Sequence, residues 1–172
     1  MSEPERGQPT PIAAFLAEEH VRLDGLLRAA VRDPGALDLG AFGAFRAGLL
    51  RHIAVEEKVL FPAIREARGG EPHPDWKRLR IQHGAMTSLL VPPPTPEIVG
   101  EIRSILEPHN ALEEGPGALY QDADALLADR AASVVERMRA YPAVKTAPHR
   151  DGPRVLRRAE DALLMSAKQF GG

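Results

Sequence analysis

The chain has 172 residues, 44% of them hydrophobic, enough for one sizeable core and too few for a second full domain beside it. Its 22 Lys+Arg are balanced by 24 Asp+Glu, a net charge of −2 without a long run of either sign, so neither nucleic acid nor a membrane surface is an expected partner. Cysteine is absent, which excludes disulfides, iron–sulfur clusters, thiolate zinc sites and covalently attached haem, and leaves nitrogen and oxygen donors for any metal.

The opening MSEPERGQPT lacks a basic segment followed by an apolar run, so export is not expected and the cytoplasm is the expected location. Apolar residues then recur at helical spacing in four segments, with no sustained strand-like alternation, and predict an all-α protein. The first helix starts near Pro11, carries Ile12, Leu16, Leu23 and Leu27 on one face, and stops at Asp33-Pro34-Gly35. A second runs from about Leu39 to Arg68 and ends at Gly69-Gly70. The third follows the Glu71–Asp75 turn, with Trp76, Leu79, Met86 and Leu90, until Val91-Pro92-Pro93-Pro94 breaks it.

A fourth opens at Thr95-Pro96-Glu97, with Thr95 as N-cap and Pro96 as first helical residue, carries Ile98, Ile102 and Ile105, and bends or breaks at Gly115-Pro116-Gly117. Then come a short helical stretch to about Tyr141, a Pro/Gly loop from Pro142 to Pro153, and an amphipathic segment from Arg154 to Phe170 with Leu156, Leu163 and Leu164. The expected architecture is an up-down-up-down four-helix bundle over residues 11–130, with a C-terminal helical extension, 131–172, packing across it.

Each of the four helices places a histidine in its apolar seam, where a bundle ordinarily has leucine. His20 follows Leu16 by four, His52 follows Leu49 by three, His83 sits between Leu79 and Met86, and His109 follows Ile105 by four. His52 and His109 each carry a glutamate at i+4, Glu56 and Glu113, stacked on the same helix face. The chain reads as two halves of one plan: His20 with His52-Ile-Ala-Val-Glu56-Glu57 and Leu60-Phe61, then His83 with His109-Asn-Ala-Leu-Glu113-Glu114 and Leu119-Tyr120. Burying such carboxylates without compensation costs several kcal/mol, and a metal compensates. Four imidazoles and two carboxylates suit a pair of divalent ions, each held by two histidines with both glutamates bridging and with coordination positions left open.

Glu57 and Glu114 lie about 100° round the helix from the proposed bridges and suit a solvated or supporting role. Phe61, Trp76 and Tyr120 read as core filling, with Phe61 and Tyr120 placed to wall the site. His73 and His149, in Pro-rich loops, read as surface residues. Pro62 and Pro108 fall inside helices near the ligands and mark either a kink or a boundary.

The order His, His-x-x-x-Glu, His, His-x-x-x-Glu, with His52-Ile-Ala-Val-Glu56-Glu57-Lys-Val-Leu-Phe61-Pro62, resembles the hemerythrin-like cation-binding family. The resemblance implies a non-haem di-iron centre with His20, His52, His83 and His109 as terminal ligands and Glu56 and Glu113 as bridges. Thr87 stands where oxygen-carrying members have a fifth histidine, so the resemblance is to the four-histidine branch, which includes proteins linked to iron-centre repair, nitric oxide handling and iron sensing. It implies a protein that binds or senses dioxygen or nitric oxide, more readily a binder than an enzyme of substrate turnover. The alternatives are a di-iron oxidase, peroxidase or nitric oxide reductase, and an iron-storage or repair factor acting through a partner docked on the C-terminal tail. Zinc and manganese also suit the donors. Ferritin-like Glu-x-x-His pairs and His-Glu-x-x-His zinc motifs are both lacking.

Overall fold

A computed structural model describes residues 11–170, and the N-terminal decapeptide from which lack of export was expected lies outside them. The described residues form helices α1 (Pro11–Ala30), α2 (Leu39–Val55), α3 (Phe61–Ala67), α4 (Trp76–Leu89), α5 (Pro96–Glu114), α6 (Leu119–Leu126), α7 (Ala131–Arg139) and α8 (Ala159–Phe170). Short turns of other pitch lie at Glu56–Leu60 and Ala128–Arg130. The chain is all-helical among the described residues, a four-helix bundle of α1, α2–α3, α4 and α5 with additional helices after it. No described helix is long and apolar enough to cross a membrane.

The helix starts follow from local chemistry. Asp38 caps α2 by accepting from the Ala41 N–H at 2.9 Å, and Thr95 caps α5 by accepting from Ile98 N–H at 3.2 Å, with Pro96 in the first turn as expected. Two helices instead borrow a cap from another part of the chain. The Asp124 carboxylate of α6 accepts from Ile12 N–H at 3.0 Å and Ala13 N–H at 2.9 Å, and Glu101 of α5 accepts from Ala159 N–H at 2.6 Å. Each satisfies otherwise unpaired first-turn donors and places a negative charge at a helix N-terminus. Arg51 does the converse for the end of α7, donating to the carbonyls of Met138 at 3.0 Å and Tyr141 at 2.8 Å.

Three local expectations are corrected. The second bundle helix is not one α-helix to Arg68. After Val55 it widens into a π-helical turn, Glu56–Leu60, in which Phe61 N–H bonds Glu56 O, before α3 resumes. Pro62 explains the device: it has no N–H to return to Lys58 and its ring crowds that carbonyl, which a wider turn relieves. Pro108, by contrast, lies inside α5 with no helix boundary at it. The last helix begins at Ala159 rather than Arg154 and packs chiefly along α4. His73, expected at the surface, is buried, its Nε2 3.0 Å from Asp122 Oδ2 and its Nδ1 accepting from Asp75 N–H at 3.1 Å.

The core is divided in two. One apolar cluster contains Leu23, Leu27, Phe42, Phe45, Leu49, Met86, Leu89, Ile102 and Ile105. The other contains Ile12, Leu16, Val55, Leu60, Phe61, Ile64, Leu79, Leu119 and Met138. On α1, α2 and α4 the histidine falls between a residue of one cluster and a residue of the other, and on α5 between Ile105 of the first and the partly buried Leu112 packed against the second, so the four imidazoles form a polar layer with hydrocarbon above and below.

Candidate metal centre

His20 comes from α1, His52 from α2, Glu56 from the π-turn, His83 from α4, and His109 and Glu113 from α5. All six are buried, and the two glutamates have no exposed surface. The structure brings together every candidate ligand read from the sequence. Their ligating atoms fall into two groups, His20, His52 and Glu113, and Glu56, His83, His109 and Glu113, each with its members within 4.8 Å of one another.

Each glutamate divides its two oxygens between the two histidine pairs. Glu113 lies 3.3 Å from His20 Nε2 through Oε2 and 3.1 Å from His109 Nε2 through Oε1. Glu56 lies 3.6 Å from His52 Nε2 through Oε1 and 3.1 Å from His83 Nε2 through Oε2. Both carboxylates therefore span two adjacent positions, each faced by two imidazole nitrogens. The π-turn begins at Glu56, and its altered pitch sets the direction in which that carboxylate leaves the helix.

Protein groups alone do not satisfy this layer. Glu56 Oε2, Glu113 Oε1 and His83 Nε2 are buried without a hydrogen-bond partner, although they stand close to one another. Convergent atoms that fail to hydrogen-bond each other, in a fully buried layer, are what a cation would satisfy, and imidazole nitrogen with carboxylate oxygen suits iron as well as zinc or manganese. The residues thus fit a pair of divalent ions.

The outer ring nitrogens carry the supporting contacts. His20 Nδ1 pairs with Glu114 Oε1, His83 Nδ1 lies 3.1 Å from Glu57 Oε1, and His109 Nδ1 lies 3.0 Å from Gln82 Oε1. An acceptor at Nδ1 holds a proton there and leaves Nε2 as the nitrogen that faces the centre. The glutamates next to the bridges therefore have the supporting role suggested by their angle, and they act across the halves: Glu57 of the first half supports His83, and Glu114 of the second supports His20.

Electrostatics follow from this packing. Burial opposes protonation of His20, but hydrogen bonds to Glu113 and Glu114 and the nearby carboxylate charges outweigh it and raise its pKa to about 10. Burial likewise opposes the charged form of His83, and its contacts with Glu56 and Glu57 raise it to about 9. His52 goes the other way, lowered by burial. Burial pushes the Glu113 carboxyl up, but His109 and His20 hold it well below the usual range. The layer draws positive charge toward its carboxylates, and an ion that binds there takes the place of those protons.

Tyr120 belongs to the site more closely than a wall residue would. Its hydroxyl donates to Glu56 Oε1 at 2.6 Å and Glu113 Oε2 at 3.0 Å and lies 3.1 Å from His20 Nε2. Burial and the two carboxylates raise its pKa well above the phenol value. Its counterpart Phe61 stacks on His83 with ring centroids 5.9 Å apart. Trp76 lies outside the layer and holds the Arg80 guanidinium over its ring at 5.5 Å.

A cavity of about 120 Å³ touches His20, His52 and His109 and is otherwise walled by Leu23, Leu27, Leu49 and Leu106, with Asp24, Arg28, Arg103, Glu107 and Asn110 completing its lining. That volume suits a ligand of a few atoms and no organic substrate of ordinary size.

The sequence model of the hemerythrin HHE cation binding domain family matches residues 12–91, the stretch that contains His20, His52, Glu56 and His83. No curated protein and no solved structure matches the chain.

Proposed function

We propose that the chain, whose residues 12–91 match the hemerythrin HHE cation binding domain family, is a non-haem di-iron protein that binds or senses a small diatomic ligand, dioxygen or nitric oxide. The observation that carries the reading is the division of both buried carboxylates between two histidine pairs, which provides for two adjacent ions and leaves each short of six protein donors. His20 and His52 would hold one ion, His83 and His109 the other, with Glu56 and Glu113 shared. Ferrous iron in such a centre supplies electrons and open coordination positions to a small ligand.

The chain's own groups support binding over substrate turnover. The small cavity beside His20, His52 and His109, walled in part by leucines, admits a diatomic molecule and is too small for organic substrates of ordinary size. Hydrocarbon on both sides keeps bulk water from the layer. Glu57, Glu114 and Gln82 orient imidazoles and are committed to them. A partner-dependent role in iron storage or repair would use the outer face of α8, where Leu164 and Met165 are exposed, because its inner face is engaged with α4.

The test is to load the protein anaerobically with Fe²⁺ and to record its visible and near-ultraviolet spectrum before and after addition of nitric oxide or dioxygen. A spectral change that saturates with the gas, requires the iron and reverses on removal of the gas or on reduction supports the reading. An iron-loaded protein whose spectrum ignores both gases contradicts it.

A further inference from the structure

We infer that the two ion positions are unequal: the His83/His109 position is the tight, resident one, and the His20/His52 position is exchangeable. The inference rests on the two-ion reading above and concerns what the protein does at each position before and as an ion arrives.

At the His83/His109 position the donors face one another and no outside group. Glu56 Oε2, Glu113 Oε1 and His83 Nε2 are buried without a well-formed hydrogen bond, and the nearest partners of the two oxygens, at 3.1 Å, are the ligating nitrogens themselves, His83 Nε2 and His109 Nε2. At the His20/His52 position the equivalent atoms are already engaged. The hydroxyl of Tyr120 donates to Glu56 Oε1 and Glu113 Oε2, the same two carboxylates' other oxygens, and lies against His20 Nε2, which is itself 3.0 Å from His52 Nε2. An ion entering there meets carboxylate oxygens already engaged by the hydroxyl, whereas an ion at the other position satisfies atoms that otherwise cost energy to bury.

The outer contacts are unequal in the same sense. At the His83/His109 position both imidazoles have an Nδ1 partner, Glu57 for His83 and Gln82 for His109. At the other position His20 has Glu114, but His52 Nδ1 is buried with no partner. In the plan the two halves share, the residue immediately before His83 is Gln82 and the residue immediately before His20 is Glu19. Glu19 is turned away, 3.2 Å from Arg22 and 3.9 Å from Arg51, and Arg51 is in turn anchored on the carbonyls of Met138 and Tyr141. A ligating imidazole that lacks its outer partner typically costs 10–100-fold in metal affinity. Glu19 and Arg51 are thus positioning residues that set the looser position. The cavity touches both imidazoles of this position and only His109 of the other, so the exchangeable position is also the more accessible one.

The experiment is an anaerobic titration of the metal-stripped full chain with Fe²⁺, read by native mass spectrometry, followed by timed extraction of the doubly loaded protein with a chelator. At one equivalent the single-ion species should predominate over the empty and double ones, and extraction should be biphasic with rates differing by at least about tenfold. His52→Ala should abolish the fast phase and leave the slow ion in place, and His109→Ala should abolish the slow one, with circular dichroism checking that each variant folds. If two ions bind but leave in one phase, or if His52→Ala removes the slow phase, the inequality is overturned while the two-ion reading stands. If the wild-type chain never takes up a second ion, the two-ion reading itself fails and the inference with it. The wild-type measurements decide whether the positions are unequal even if a variant does not fold, and either variant alone decides which of them is the tight one.

Discussion

Glu57, in the first half of the chain, holds the outer nitrogen of His83, in the second, at 3.1 Å, and Glu114 returns the same contact to His20. The two halves are interlocked through the supports of their ligands, so each half's ligation depends on a residue of the other. Glu57→Ala is expected to lower metal affinity by about 10–100-fold while leaving the helical content intact. Competition of loaded protein against a chelator of known affinity, with circular dichroism on the same samples, measures it. An affinity equal to wild type would show that the contact is idle.

Metal removal should lower stability, because without an ion Glu56 Oε2 and Glu113 Oε1 are buried without a well-formed hydrogen bond and face only imidazole nitrogens. An ion held at a hundredfold excess over its Kd contributes about 2.7 kcal/mol. For a chain of this length that corresponds to a Tm difference on the order of 5–10 °C between loaded and stripped protein. Thermal denaturation of both forms, and of stripped protein given Fe²⁺ again, should show the drop and its recovery.

The cavity offers a way to separate ligand entry from metal binding. Leu106 lines it and is no candidate ligand, and Leu106→Trp should fill much of its roughly 120 Å³. Overpacking of this kind costs about 1–3 kcal/mol. Iron per chain should stay at the wild-type value while apparent affinity for nitric oxide falls on the order of tenfold. Unchanged gas binding in an iron-replete Leu106→Trp protein would mean that the ligand takes another route.

The C-terminal helix should be separable from the centre. Ser166 is buried where α8 meets α4 at Gly84, a position with no room even for a Cβ against the serine side chain. Ser166→Phe should therefore dislodge α8 at a cost of about 1–3 kcal/mol. Limited proteolysis should then cut between residues 142 and 158 faster than in wild type, with metal content retained, because α8 contributes no ligand.

The ligand set was legible because a buried metal layer in a bundle must interrupt the hydrophobic seam, and the interruptions at His20, His52, His83 and His109 fall in register with the leucines and isoleucines around them. The caps at Thr95 and the stop at Gly69-Gly70 are local chemistry and were equally readable. What could not be read depends on contacts distant in sequence. Tyr120 follows a break in the fourth helix, so its periodicity could not say that its hydroxyl meets carboxylates from two other segments. His73 is buried only because Asp122 of α6 comes to meet it. The π-turn at Glu56–Leu60 leaves no periodic trace of its own, though Pro62 was the signal that the helix there could not stay regular. The late start of α8 reflects Glu101, a cap supplied from another helix.

The most direct test of the two-ion centre is the iron content of protein saturated anaerobically with Fe²⁺ and freed of loose metal, measured for the wild-type chain and for Glu56→Ala and Glu113→Ala. Two irons per wild-type chain, falling below two in both variants while circular dichroism shows them folded, is the predicted result. One iron or none in the wild type, or two irons retained after loss of either carboxylate, would contradict a centre in which Glu56 and Glu113 are shared between two ions.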